Sequence, residues 1–343
     1  MSSLQDVAKR AGVSASLVSR YINGQTGVSE KSRKKIAAAM DALNYQPNAL
    51  ARSLVTRRTK TIGIVMDTLC EPYFFPLIEG LEEASEHTDY DLVFSSGRMN
   101  VKTKQNAVRY FMQGRADGVL LYGSWMEDDQ IIQSLARQSF PFVVVENTFP
   151  ALNINNISLN SAFGSGAAVD HLIACGCKTI CHVGGDMQHR VSLDRQEGFI
   201  AAMQRHGITV SSEMLIQADF DVQGSYRIMK EYLASRQSAA LPDAFYCGSD
   251  NTAYGTIMAL EEAGIHVPDD IMVVGFDDDQ PPRGYPYAPL TTLSQPLREM
   301  GKKALEVLLN QIDCPDAPPK QVVYYPELIV RGTTRMRSAC AES

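Results

Sequence analysis

An all-α head followed by a two-lobed α/β domain is the fold predicted by this 343-residue sequence, and three observations predict it. Three short amphipathic helical patterns fill the first 46 residues, where basic residues also accumulate. From residue 61, apolar runs alternate with helical patterns, and the alternation occurs twice, as in parallel α/β sheets. A late apolar segment, VVYYPELIV, follows the second alternation and implies that the chain recrosses between two lobes.

The head is read first. In LQDVAKRAGVS, Leu4, Val7, Ala8 and Ala11 share one helical face, and Gly12 supplies the tight turn of a helix-turn-helix. In the next helix Val13, Val18 and Ile22 are apolar at helical spacing, whereas Ser16 and Arg20 lie one turn apart on the other side. Ser14 can cap this helix, whose free N–H groups can then hold a phosphate oxygen, and Arg20 projects where it can pair with a guanine. Alone, the segment also suits an ordinary amphipathic surface helix; its neighbours decide. VSEKSRKKIAAAMDALNY begins with a Ser29 cap and carries Ile36, Ala37, Met40 and Leu43 at core spacing. Residues 1–46 are therefore expected to form a helix-turn-helix DNA-binding domain.

Residues 47–60 are expected to be a hinge helix and linker. A helix over 48–56 has only about two and a half turns, too short to persist alone in water, so it should form on DNA. Leu50 and Leu54 share one of its faces, with Arg52, Arg57, Arg58 and Lys60 around them. Docking of the two leucines on the next domain is the bland alternative.

Charge supports this division. The chain carries a net −7, yet residues 1–60 hold about +8 and the remainder about −15. Such asymmetry favours nucleic acid at the N-terminal end alone. The sequence has neither a basic leader followed by an apolar stretch nor a run of eighteen apolar residues, so a cytoplasmic protein with no membrane partner is expected. Seven cysteines at irregular spacing fit reduced thiols. His171, Cys175, Cys177, Cys181 and His182 cluster locally, but Cys181 and His182 are adjacent in a strand and point to opposite faces. No metal site and no cofactor are expected.

The first lobe is expected over 61–160, with about 294–321. Its strands are TIGIVM, DLVFSS, DGVLLYG, PFVVVE and NNISL, and its helices lie near 75–88, 102–114 and 128–138. The second lobe is expected over 161–292, with about 322–335. It begins with a helix through His171, then TICHVGG, a helix from about 194, an extended IQADF and a helix from 224. DAFYCGSD, a helix through Leu260 and DIMVVGFDD complete it. A helix over 297–311 packs through Leu305, Leu308 and Leu309, and residues 336–343 form a tail without leucine heptads.

Ligands of open α/β sheets sit beyond the carboxyl ends of strands. Tyr73, Phe74, Ser124, Glu146, Asn147 and Arg190 fall there, as do Ser192, Phe220, Ser249, Asp250 and Asp277, and Arg195 joins them at a helix start. Aromatic faces beside charged and amide groups suit a sugar or sugar derivative, and a nucleobase between Tyr73, Phe74 and Phe220 is the rival. Singly, Asp277 and Arg195 also suit a structural ion pair, and Phe220 plain core. The acidic run Asp277–Asp279 lacks calcium-loop spacing, and Gly164-Ser165-Gly166 lacks phosphate-loop spacing. No catalytic motif appears, and no enzyme is expected.

In their order, L-Q-D-V-A-K-R-A-G-V-S, S-R-Y-I-N-G, V-S-E-K-S-R and L-N-Y-Q-P-N-A-L-A-R-S-L closely resemble the lactose/galactose repressor (LacI/GalR) family of bacterial transcriptional regulators. Further on, EPYFFPLIEGLEEA, ADGVLLYG, DRQEGF, GSDNTAYG, VVGFDDD, PLTTLSQP and ELIVRGTT resemble that family's periplasmic-binding-protein-like effector core. The resemblance implies a repressor of carbohydrate-metabolism genes, a homodimer on a palindromic double-stranded DNA operator, switched by a small-molecule effector, expected to be a sugar. It places base reading on Ala15, Ser16 and Arg20, with Ser14, Leu17, Asn23, Asn48, Ala51 and Arg52 completing the DNA contacts. Leu54 is the residue that wedges between base steps in the minor groove. It places the cleft residues named above around the effector.

The sequence departs from the family pattern at several positions. Leu17 stands where Thr is usual and Tyr21 where a small aliphatic is. Glu146 and Asn160 replace the common Asp, Ser249 replaces Asn, and Cys177 replaces His. A purine or protein corepressor is the alternative control, and a cytosolic small-molecule-binding module without specific DNA affinity is the alternative class. Dimerisation also follows from geometry, since one recognition helix reads only a few base pairs.

Overall fold

Local capping starts the head's helices. Helix α1 (Leu4–Ala11) opens with a capping box, in which the Ser3 hydroxyl accepts from the Asp6 N–H and the Asp6 carboxylate accepts from the Ser3 N–H. Gly12 ends it at φ 65°, a left-handed turn that needs glycine. Ser14 caps α2 (Ala15–Ile22) and Ser29 caps α3 (Glu30–Ala42), each hydroxyl accepting from a backbone N–H three residues on. Val7, Val18 and Ile36, one from each helix, are wholly buried and meet with Ala8, Ala11 and Ala39 in a small core.

The structure is a computed structural model and describes residues 2–22, 25–46, 58–146, 152–236 and 240–337. The expected hinge helix, including Asn48, Leu50, Ala51, Arg52 and Leu54, lies outside the described residues, as do Asn23 and Asn147.

The first lobe is a six-stranded parallel sheet. Its strands are β1 (Thr61–Met66), β2 (Asp91–Ser96), β3 (Gly118–Tyr122), β4 (Phe142–Glu146), β5 (Asn156–Leu159) and β11 (Gln321–Tyr324), in the order β11-β5-β4-β3-β1-β2. The inner strands β1, β3, β4 and β5 are buried nearly throughout, because helices cover both faces. These are α4 (Phe75–Ser85), α5 (Val101–Met112), α6 (Asp128–Ala136) and α11 (Leu297–Asp313). Helix α11 lies so close on α4 that a Cβ at Gly80 would collide with the Arg298 carbonyl and one at Gly301 with that of Leu77.

The second lobe has four parallel strands, β6 (Ile180–Gly184), β7 (Leu215–Gln217), β8 (Ala244–Cys247) and β9 (Met272–Val274), in the order β7-β6-β8-β9. Helices α7 (Ser161–Ala174), α8 (Arg190–Arg205), α9 (Val222–Ser235) and α10 (Asp250–Glu262) enclose it. Strand β10 (Thr292–Ser294) extends it through bridges to Val274 and Asp277 and pairs antiparallel with β12 (Glu327–Ile329).

The chain thus passes between lobes three times, after β5, β10 and β11. This corrects the expected boundary near 321: residues 321–324 belong to the first lobe, paired in parallel with Asn156–Leu159. The Asn155 side chain accepts from the Lys320 N–H at 2.8 Å and sets that register. Only from Glu327 does the chain return to the second lobe, where Thr333 bonds the Val273 backbone in both directions. Helix α8 also starts at Arg190 rather than near 194, which draws Arg190 and Ser192 into its first turn.

Candidate functional site

On the head, Ser14, Ala15, Ser16 and Arg20 are exposed on one side of α2. Leu17 is not wholly on that side. It stands at four-residue spacing with Val13 and Tyr21, and all three pack on the edge of the head's core, leaving Leu17 half-buried. The apolar residue that replaces a hydroxyl here widens the helix's buried stripe.

Between the lobes lies a cavity, part of it open to solvent. Tyr73, Phe74, Ser124 and Glu146 line it from the first lobe, and Arg195, Phe220, Ser249 and Asp277 from the second. Most stand just past the carboxyl ends of strands, where the backbone turns away and leaves side chains free to face the crevice. Glu146 and Asp277 hold positive φ, 89° and 121°, an uncommon backbone for side-chain-bearing residues and one that clusters at binding sites.

A hydrogen-bond chain joins the two walls. The Tyr73 hydroxyl lies 3.3 Å from the Tyr122 hydroxyl, 3.4 Å from Glu146 Oε1 and 3.2 Å from Gln295 Oε1. Gln295 Nε2 donates to Asp277 Oδ1 at 2.6 Å, and Arg195 reaches the same oxygen at 3.1 Å. The Arg195 guanidinium also donates to the Gly248 carbonyl and stacks 3.8 Å over the Phe276 ring. Burial pushes the Glu146 carboxyl up to about 7 and that of Asp277 up to about 6, the nearby Arg195 opposing both. Burial likewise holds the Tyr73 and Tyr122 hydroxyls protonated, so both remain donors.

Beneath the first wall, Lys104 is fully buried with its ammonium 2.7 Å from Asp67 Oδ1 and 2.5 Å from Asp128 Oδ2. Ser124 donates to Asp67, and the Trp125 N–H donates to Asp128. This buried ionic group fixes the loop after β3, and that loop reaches the other lobe. Met126 N–H donates to the Gln188 carbonyl and Arg190 N–H to the Ser124 carbonyl, both at 3.0 Å. The Trp125 and His189 rings lie 4.1 Å apart, and Arg190 forms a two-pronged ion pair with Asp129 at 2.8 and 2.9 Å.

Residues 3–48 match the bacterial regulatory proteins of the lacI family, and residues 169–334 match a periplasmic binding protein-like domain. The chain is 34% identical over 337 residues to the HTH-type transcriptional repressor PurR of Photobacterium profundum, covering 98% of this chain and 99% of that one. It is 32% identical to the ribose operon repressor of Haemophilus influenzae, covering 96% and 98%. Among solved structures, the lac repressor dimer bound to operator and the anti-inducer ONPF superposes with a TM-score of 0.85 at 27% identity, covering 97% and 99%. The chain belongs to the LacI family.

As a LacI-family protein it is a ligand-responsive transcriptional repressor with an N-terminal helix-turn-helix and a periplasmic-binding-protein-like α/β domain, and its relatives are repressors rather than enzymes. Eight of the twelve residues that the sequence assigned to the effector line the cavity: Tyr73, Phe74, Ser124, Glu146, Arg195, Phe220, Ser249 and Asp277. Three do not. Asp250, the first residue of α10, lies under the floor, accepting from the Thr292 hydroxyl at 2.5 Å and the Asp279 N–H at 2.8 Å; burial pushes its carboxyl up to about 8. Ser192 is turned into the lobe's interior, and Arg190 serves the interlobe contact with Asp129. The cavity also contains Asp67, Glu71, Met99 and Tyr122 from the first lobe and His189, Val191, Asn251 and Asp279 from the second. Sequence reasoning missed these, although Glu71 lies two residues before Tyr73 and Asp279 two after Asp277. Among the described residues no group of three His, Cys, Asp or Glu has metal-holding geometry, and no helix is long and apolar enough to cross a membrane.

Proposed function

We propose that this LacI-family regulator acts as a homodimer on a palindromic operator and represses carbohydrate-metabolism genes, its operator affinity set by a sugar or sugar derivative between the lobes. The observation that carries the reading is the cavity wall, in which Tyr73, Glu146, Asp277 and Arg195 form a connected set of polar groups linked through Gln295. Such a set matches a ligand with several hydroxyls, while Phe220 and Phe74 offer apolar faces to a ring. The name of the ribose operon repressor among the relatives accords with it. A ligand that touches both lobes favours the arrangement in which both sets of contacts exist, and that is how it biases the DNA-binding end. Residues 48–56 serve in this reading as the hinge, with Leu54 as wedge.

A second reading keeps the repressor and makes the ligand a purine. It rests on the edge-to-face pair His189–Phe220, with centroids 5.4 Å apart beside Tyr73 and Phe74, and on the relatives named PurR. A thermal-shift screen of the full chain against sugars, sugar phosphates and purines separates the two, followed by operator titration with and without each hit. A sugar that shifts both the melting temperature and the operator affinity carries the first reading. A purine that does so in its place carries the second. Failure of the chain to enrich any palindrome from random DNA sinks both.

A further inference from the structure

The cavity's charge does not balance. Asp67, Glu71, Glu146, Asp277 and Asp279 face it, against the single guanidinium of Arg195 and the imidazole of His189. Arg195 is already committed to Asp277, to the Gly248 carbonyl and to the Phe276 ring. Lys104 is enclosed between Asp67 and Asp128 and neutralises only one of them. Among the described residues Glu71, Glu146 and Asp279 form no ion pair, and Glu146 is buried.

The hydrogen-bond inventory is mixed. Around the Tyr73 hydroxyl stand the oxygens of Tyr122, Glu146 and Gln295, and the two phenols share two protons among these partners. The Ser124 hydroxyl proton is spent on Asp67 and the Gln295 amide donates to Asp277. Donors are present as well, on Tyr122, on Asn251 and on the buried Arg195 Nε, which has no partner among the described residues, so it is the charge imbalance that favours a cation. A protonated amine has three donors and no acceptor, and it carries the charge that the carboxylates want. A phosphate or carboxylate brings more acceptors and more negative charge into a site of low dielectric.

We propose that the effector is a protonated, hydroxyl-bearing amine such as an amino sugar or iminosugar, its ammonium seated at Glu146 and the Tyr73 hydroxyl, and that phosphorylated and carboxylated analogues are rejected. This rests on the reading that the interlobe cavity is the effector site. Burial pushes Glu146 up to about 7, so near neutral pH the empty site holds part of a proton there, and an arriving ammonium expels it.

The test is isothermal titration of the full chain at pH 7 with matched series on two skeletons. These are glucose, glucosamine, 1-deoxynojirimycin, gluconate and glucose 6-phosphate, then galactose, galactosamine and galacturonate. Each is run in two buffers of different ionisation enthalpy. At least one amine is expected to bind tenfold or more tighter than its neutral parent, its net proton exchange being the release from Glu146 less the uptake by the fraction of the amine that is unprotonated at pH 7, while the anions give no binding. Glu146→Gln is expected to reduce the amine's advantage about tenfold and to shift the proton exchange toward uptake by the fraction of a proton that Glu146 releases. A neutral parent as tight as its amine, any anion that binds, or no amine that binds overturns the proposal. Asp277→Asn with Phe220→Ala distinguishes the underlying reading. If these substitutions weaken binding of whichever ligand is found, the cavity is the site and only the charge assignment is at stake. If they leave it unaltered, the site itself lies elsewhere.

Discussion

The exposed face of α2 and the walls of the interlobe cleft both carry charge, yet they hold it in opposite ways. Arg20 and its neighbours stand in solvent, with the counter-charge to be supplied by a phosphate or a base edge. In the cleft Arg195, Lys104 and Asp67 are buried and Asp277 is half-buried, and they form ion pairs, Arg195 with Asp277 and Lys104 with Asp67, before any ligand arrives. The difference teaches where each region's energy lies. A solvated charge costs the fold almost nothing to remove, and its loss is felt on the partner. A buried charge is part of the core, and its loss is felt by the fold as well.

Breaking this contrast is most direct at Lys104. Lys104→Met leaves Asp67 and Asp128 facing each other without a cation and is expected to cost about 3–5 kcal/mol of unfolding free energy. Lys35→Met, an exposed head substitution, is expected to stay within about 0.5 kcal/mol. Urea titration of both variants checks the pair, and equal losses would erase the distinction.

The next effects fall on partners. Asp277→Ala is expected to weaken effector binding by roughly 1.5–3 kcal/mol, because a charged acceptor is removed from Arg195 and Gln295 alike. Titration calorimetry with whichever ligand the screen identifies reads it, and unaltered affinity would remove Asp277 from the site. Arg20→Ala is expected to cost roughly 1–3 kcal/mol on the correct operator and to relax preference at one base per half-site. Uniform weakening on every sequence in a binding assay would make Arg20 a phosphate contact only.

Smaller effects sharpen the comparison. Ser29→Ala removes the α3 cap and is expected to cost about 1 kcal/mol of head stability, seen in that domain's melting, with the cleft unaffected. The pH response should belong to the core alone. Glu146 and Asp250, raised by burial to about 7 and about 8, keep protons in the folded state that the unfolded chain releases. Stability therefore falls as pH rises through those values. Between pH 6.5 and 8.5 the core's melting temperature is expected to decline, and Glu146→Gln to flatten the decline. The window lies above the range in which His182, lowered to about 4 by burial, acts in the opposite direction. A variant as pH-sensitive as the unmodified chain would show that Glu146 is not the titrating group.

The sequence by itself determined what is decided within a few residues. Gly12, Ser14 and Ser29 mark the head's turns and caps, because a cap needs only a hydroxyl and the next turn's N–H. TIGIVM, PFVVVE and their counterparts read as buried parallel strands because continuous apolar runs suit a sheet covered on both faces. Half of the residues that line the cavity were legible for a related reason, since the carboxyl end of a parallel strand is a position along the chain.

Tertiary structure alone decided which groups meet. Asp67, Lys104 and Asp128 come from three different segments, and nothing local says that an amphipathic helix's lysine turns inward to hold two aspartates. Asp250 and Asp277 look alike in sequence, each following a strand, yet one is floor and the other wall, because Thr292 and the Asp279 N–H capture the first. The segment 321–324 joined the first lobe through parallel pairing with β5, and only the chain after it returns to the second. Caps and periodicity act over one or two helical turns. Charge pairing, cavity walls and strand neighbours depend on sheet order and lobe packing, which bring together residues tens to hundreds of positions apart.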